Sequence, residues 1–444
     1  MKESIDIQVE EPCWLTAAFE QQSAVWADDD FGKKYRQQQF TQFKVRGFPS
    51  RREEAWKYTD LTFMQNNPFH WPLPSTAALL GNEELQALVK ERAQNNFLLV
   101  FVNGHYAPLF SSHSAFGEGV ILDNLQAALQ RHAALIRAYF LKEIDTKRHP
   151  FVSLNAALFS DGIFLYLPRG LVLEKPLHVL SLAYGQTGFM MHPRHLFILE
   201  SDSQLCFTEE YHSIDADHYL TNASLDFFVG RGANLVYNKV QNEAENARHV
   251  AHLFFHQKQN SKVKAVSFTR GGQLSRQELV VNLQEQQAAC CLKGFYSVDR
   301  DAQQSDHAIY IDHQAPQTQS SIDYRGVLAE ASRAIFAAKV QVRSAAQKTK
   351  SEQINRNLLL SKLAEVDIKP ELEIDAEEVN CRHGATVGQI DEESLFYLGT
   401  RGIDRQLATT ILLQAFMEEV LREVSLPWLR HYLHEQWGRQ LAKL

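Results

Sequence analysis

The 444-residue sequence has few cysteines and no pattern among them. Cys13, Cys206, Cys290, Cys291 and Cys381 form neither a CxxC pair nor a disulfide framework. A reducing compartment, the cytoplasm, is therefore the expected location. Long apolar runs are also missing. Nothing approaches the ~18 apolar residues of a membrane-spanning helix, so no membrane partner is expected. The opening MKESIDIQVEEPCWL carries acids and no apolar core, which argues against a signal or transit peptide. Nor is there an excess of positive charge. Lys and Arg number 45 against 53 Asp and Glu, a net charge of −8, which excludes a protein whose main work is coating nucleic acid.

Catalytic signatures are absent as well. Without GxxxxGK[ST] there is no phosphate cradle, so no ATP site is expected on this chain. Gly117-Glu118-Gly119 lacks the third glycine of a dinucleotide loop and follows no βα unit. Neither GxSxG nor HExxH occurs. Acids are too numerous for any pair of them to identify a glycosidase. The expectation is a protein that is not itself an enzyme.

What is present is a large apolar fraction, 45%, with 22% charged residues, enough for a sizeable core. Residues 1–95 read as an N-terminal helical domain. Tyr35, Phe40 and Phe43 recur at helical spacing, and Ser50 with Glu53 makes a capping-box pattern in SRREEAWKYTDL. Residues 96–150 read as a hairpin around Asn103-Gly104 followed by a helix over 122–142. From 151 to 383 the helical period disappears. Short β-rich runs follow one another, and several open alike, at Ala233-Asn234-Leu235, Ser261-Lys262-Val263, Ser332-Arg333-Ala334 and Ala364-Glu365-Val366. Quasi-repeats without intervening helices predict a mainly β fold, a parallel β-helix in preference to an irregular sandwich. Residues 384–444 turn helical again. Leu407, Ile411, Leu412, Ala415, Phe416, Met417 and Val420 lie along one broad stripe of 404–424, and a last helix follows Pro427.

Most of the 18 histidines read as core or surface residues. His249, His252 and His256 would form a metal face only on a helix; in a strand they scatter over both faces. His307 and His313, six apart, share one face of a strand. Cys290 and Cys291 point in opposite directions, with at least one packed as a small hydrophobe. The segment 369–391, KPELEIDAEEVNCRHGATVGQID, is different. Glu371, Glu373 and Asp375 alternate with Leu372 and Ile374, giving one acidic and one apolar face. Cys381 and His383, two apart, leave the same face of an extended chain, and Gly384 is expected to end the strand there. A thiolate beside an imidazole suits iron or zinc. Two donors do not close a tetrahedral site, so the remaining ligands must come from elsewhere, another subunit included.

The same segment, extended through EESLFYLGTRGI, resembles the closing stretch of the SufB/SufD family of the SUF iron–sulfur cluster assembly machinery. AQKTKSEQINRNLLLS at 346–361, YRGVLAEASRAIF at 324–336 and SRREEAWKYTDL near the N-terminus resemble it too. Leu398 stands where the SufB branch has a cysteine, and His383-Gly384-Ala385-Thr386 stands where that branch tends to read HEAT. Both departures favour the SufD branch. The resemblance implies a right-handed parallel β-helix flanked by helical domains, acting as a scaffold subunit. It implies a SufB-like partner at the C-terminal end of the β-helix and a SufC-like ATPase on residues 404–444. It further implies a transient iron–sulfur cluster or iron at the SufB–SufD boundary, tied to His383 with Cys381 secondary. A homodimer is expected in isolation, because an uncovered sheet edge can pair with its own copy. Two other readings are a SufB-like sulfur-accepting subunit and a β-helix carbohydrate-active enzyme.

Overall fold

A computed structural model describes residues 13–23, 30–66, 68–72, 77–112, 116–140, 145 and 148–444. The opening twelve residues, on which the reading of the N-terminus leans, lie outside the described residues. Most of the strands among the described residues build a β-solenoid of about 8 turns, mainly β as expected, with helices at either end of the chain. Two long sheets face each other. One ends on the strands Thr349–Leu359 and Val379–Gly388, the other on Arg333–Val342 and Glu365–Ile374. Within each sheet nearly every pairing is parallel and in register. Asn234 lies beside Lys262, Lys262 beside Ala289, Ala289 beside Gln319, and Lys350 beside Asn380. The coil repeat is therefore about 30 residues. The four look-alike strand starts belong to two different sheets: those at Asn234 and Lys262 pair in one, those at Arg333 and Glu365 in the other.

Each coil turns one corner in the same way. Asp202, Gly232, Asn260, Gln287, Gln317 and Lys348 all adopt φ between 56° and 68°. Each donates its amide to a carbonyl of the next coil, as Asn260 does to Gln286 at 3.1 Å and Gln317 to Gln347 at 2.8 Å. The corner is thus hydrogen-bonded by its neighbour, which offsets the cost of left-handed backbone at residues other than glycine.

Inside the solenoid the stacked side chains pack as columns. Phe197, Phe227 and Phe255 stack with centroids 4.7 and 4.9 Å apart. Large and small residues alternate where the bore is tight. Gly294 lies under the Tyr324 ring and Gly326 under the Tyr296 ring, and a Cβ at either would come within 2.3 Å of ring carbon. The bore also holds polar side chains. Lys239 lies 2.9 Å from His249, and the Tyr237 hydroxyl donates to Glu209 at 2.6 Å. Burial pushes Lys239 down to about 8, against the pull of Glu209 and Glu243.

The helices cover the outer faces. Leu15, Phe19, Phe40, Phe43 and Trp56 pack with Phe151 and Leu154 on Leu220, Val250 and Leu274 of one sheet. On the other sheet, Leu413, Met417, Val420, Leu429, Leu433 and Trp437 cover Val240, Val266, Phe268, Phe295 and Val327. Several local expectations change. Ser50 and Glu53 do make the capping contact, the Ser50 amide donating to Glu53 at 2.9 Å, but only a single 3-10 turn, Glu54–Trp56, follows. The helix expected over 122–142 breaks at His132 into Leu125–Arg131 and Ala133–Phe140, after a short strand Ile121–Asn124. The Asn103-Gly104 hairpin forms, with φ of 50° and 79° at its two central residues.

Under the N-terminal helices lies a buried charged cluster. Arg276 pairs with Asp306 and with Glu278, whose other oxygen faces His149 and His252. Burial pushes the Glu278 carboxyl up, but the Arg276 guanidinium and the two imidazoles outweigh it and hold the group well below the usual carboxylate range.

The inward histidines make the fold acid-sensitive. Burial pushes His195 and His307 down to about 3 and His313 to about 4, from an ordinary 6.5. The native state then binds no proton where the unfolded chain does, so their stability is complete above pH 6.5 and lost as pH falls toward 3. At pH 5 each costs about 2 kcal/mol relative to pH 7. The urea midpoint should fall steadily over that interval, and less steeply in His307→Gln. A midpoint flat from pH 7 to 5 would show that these imidazoles are not buried neutral.

Candidate functional site

The last coil is where the stack stops. Glu365–Ile374 and Val379–Gly388 each pair along one side only, and among the described residues no strand covers the other. Such an edge presents free backbone donors and acceptors. Pro370, which cannot donate to a ladder, sits in the first of these strands, as an edge allows.

Cys381 and His383 belong to the second. In register, Cys381 extends the inward column of Ser351 and His383 that of Gln353, both of which are buried. The two side chains therefore share one face, as the spacing predicts. With no further coil over them, Cys381 is half-buried and His383 is exposed. Burial pushes the Cys381 thiol up, opposed by a backbone hydrogen bond at Ser351. The free chain thus presents a thiol, and a bound metal would have to take its proton. Gly384 does not end the strand. The ladder continues through Ala385, Thr386 and Val387 to Gly388, because Ile354, Asn355, Arg356 and Asn357 offer a parallel template. The site lies within an edge strand rather than at its tip.

The surroundings separate by face. Val366, Ile368 and Leu372 continue the apolar interior but are only partly covered. On the outer face Glu373 pairs with Lys339 at 2.6 Å, and Glu371 with Lys369 at 3.0 Å. Arg382 pairs with Glu352 at 2.8 Å. Chemically, the end coil offers one soft and one borderline donor on a sheet edge. It can complete a metal or cluster site supplied with further ligands but cannot enclose one.

Other histidines fall as strand geometry requires. His249 points into the bore and His252 to the outer face, while His307 and His313 both point inward. His313 is satisfied there by Thr318 at 2.8 Å and Ser320 at 2.9 Å. Cys290 is buried and Cys291 half-buried. Sequence spacing missed a different group. Among the described residues, His149, His252 and Glu278 bring three ligand atoms within 4.8 Å of one another. Only the in-register pairing of His252 with Glu278 reveals it.

The C-terminal stripe also divides. Met417 and Val420 are buried, together with Ala408, Leu413 and Leu421, whereas Leu407 is 50% and Ile411 37% exposed. With Phe396 at 75% and Tyr397 at 57% they leave an apolar surface on the helices Glu392–Thr400 and Arg405–Leu421.

Residues 182–416 match the family described as "SUF system FeS cluster assembly, SufBD core domain", and residues 15–179 the "SufBD protein N-terminal region". The iron–sulfur cluster assembly protein SufD of Escherichia coli is 28% identical over 411 residues, covering 91% of this chain and 92% of that one. The SufD of Bacillus subtilis is 26% identical over 383 residues, covering 85% and 86%. The SufB of the same organism is 24% identical over 323 residues, covering 70% and 67%. A core match over more than half the chain, an N-terminal match over the rest of the solenoid's approach, and relatives named SufD along nearly its whole length agree. The chain belongs to the SufB/SufD family of SUF iron–sulfur cluster assembly proteins.

Proposed function

We propose that the chain is a non-catalytic scaffold subunit whose terminal coil meets a SufB-like partner, so that a nascent iron–sulfur cluster forms between them. The observation that carries this reading is the half-buried Cys381 beside the exposed His383 on an uncovered sheet edge. A partner with an equivalent edge would continue the ladder and satisfy the free backbone groups. The likeness to both SufD and SufB proteins supports a partner with such an edge. His383 then serves as a ligand or base at the boundary, with the partner supplying the remaining thiolates. The cluster or iron is cargo rather than a resident cofactor. Energy comes from a SufC-like ATPase docked on the C-terminal helices, where Phe396, Tyr397, Leu407 and Ile411 lie open. The proposed compartment is the cytoplasm, supported by the absence of disulfides among the described cysteines.

His383→Ala should leave the assembled complex and its ATPase activity intact while cluster formation falls by more than tenfold, and Cys381→Ala should be milder. Reconstitution followed by visible absorption reads both. Native-rate cluster assembly by the His383→Ala complex would remove His383 from the mechanism.

Phe396→Asp combined with Leu407→Asp should abolish co-purification of the ATPase without altering the circular dichroism of the β-solenoid, since both side chains are already in water. Undiminished ATPase capture would move the docking surface elsewhere.

Alone, the chain is expected to pair edge to edge with its own copy. Ile374→Lys with Val387→Lys places like charges across such a junction and should yield monomers in analytical ultracentrifugation. Dimers of unchanged affinity would place the interface on another face.

A further inference from the structure

The group under the N-terminal helices has the composition and spacing of a metal site; it lies on the other sheet from Cys381 and His383, and the cavity it faces extends to Asp367 and Lys369 of the terminal coil. His252 and Glu278 are direct cross-strand neighbours on the outer face of one sheet, in Arg248–Gln257 and Leu274–Leu283. The next position in that column is Ala308, which leaves room beside the carboxylate. His149 comes from outside the sheet, at the start of the helix Pro150–Leu158.

Distances decide what the three can hold. His149 Nδ1 lies 3.0 Å and His252 Nε2 3.1 Å from the same oxygen, Oε2 of Glu278. An ion about 2.1 Å from each of three donors in an octahedral face needs them about 3.0 Å apart; both separations to Oε2 match, and all three donors lie within 4.8 Å of one another. His149 lies on the hydrogen-bond line to that oxygen. His252 does not: both of its ring nitrogens lack an aligned partner, although the residue is fully buried. A buried imidazole without an aligned partner is costly unless something else occupies its lone pair. The other oxygen of Glu278 is already fixed, receiving Arg276 Nε at 3.1 Å and Nη2 at 2.5 Å. Arg276 thereby turns Oε2 toward the two imidazoles, the orienting role an outer partner plays at a metal. His149 and Glu278 line a cavity of about 530 Å³ that also borders Tyr58, Arg148 and Tyr310, so the group is reachable from outside.

We propose that His149, His252 and Glu278 bind one divalent transition-metal ion, with the remaining coordination positions open toward this cavity. Two imidazoles and one carboxylate suit Fe²⁺, Co²⁺ or Zn²⁺ and discriminate against Ca²⁺ and Mg²⁺, which prefer all-oxygen shells. The site does not depend on the scaffold reading or on His383.

The test uses the full chain, stripped with chelator and titrated with Co²⁺. About one equivalent should bind and develop visible d–d absorption. His149→Ala and Glu278→Gln should each weaken binding by more than about 100-fold, the upper end of what losing even an outer partner costs, while His383→Ala leaves it unchanged. A folded His149→Ala that binds Co²⁺ as the parent does, or a parent that binds none at millimolar metal, overturns the proposal. Because these positions are buried and a variant can unfold, the unmutated chain provides a second readout. Pulsed electron paramagnetic resonance of the Cu²⁺-loaded protein should count two coordinated imidazoles, and it should still count two in His383→Ala. A count of one or none defeats the site whatever the variants do.

Discussion

Everything in this molecule hangs on one coil supporting the next. A parallel ladder has no local closure: each strand is paired by segments one coil earlier and one coil later, about 30 residues away in sequence. The left-handed corner residues make the dependence explicit, because each is hydrogen-bonded by the following coil. An array of this kind is stable in its middle and unfinished at its ends. At the N-terminal end one sheet starts with the hairpin and the other with the antiparallel pairing of Ile121–Asn124 with Ile163–Leu167. Among the described residues no strand covers the C-terminal end, and Cys381 and His383 lie there.

The lateral faces follow the opposite rule. Both outer sheet faces carry large apolar residues, Val250 and Leu274 on one side and Phe268 and Phe295 on the other, and each is covered by helices from the nearer end of the chain. The helices thus do two things. They bury what the strands expose, and they leave an apolar strip of their own at Phe396, Tyr397, Leu407 and Ile411. Among the described residues, the sides are thus covered, while the end coil and part of the C-terminal helices stay open.

Polar groups inside the bore look at first like a defect in such a core. Several are answered by other bore residues: Glu209 by Tyr211 of its own strand and Tyr237 of the next coil, His313 by Thr318 and Ser320 just past the corner, and Asn355 and Asn357 by Tyr296. A charge or imidazole in that environment titrates far from its usual range, since desolvation opposes the charged form. Stability is therefore coupled to pH through residues remote from the terminal site.

The sequence by itself determined the solenoid class, because repeated short strands with no helices between them leave few other ways to bury their apolar faces. It also determined the absence of a phosphate loop and the shared face of Cys381 and His383, which follows from a period of two. Tertiary structure decided what depends on the neighbouring coil. Gly384 does not stop its strand, because Ile354 and Asn355 carry the ladder on past it. The stripe of 404–424 is buried through Met417 and Val420, joined by Leu413 from outside it, and not through Leu407 or Ile411, because only one side of that helix meets the sheet. His252 reads as one of three scattered histidines until the register sets it beside Glu278 and the N-terminal segment brings His149 over both. Periodicity fixes which way a side chain points along its own strand; which residue lies beside it is set by the length of the intervening coil, and that length is settled only when the coils close on one another.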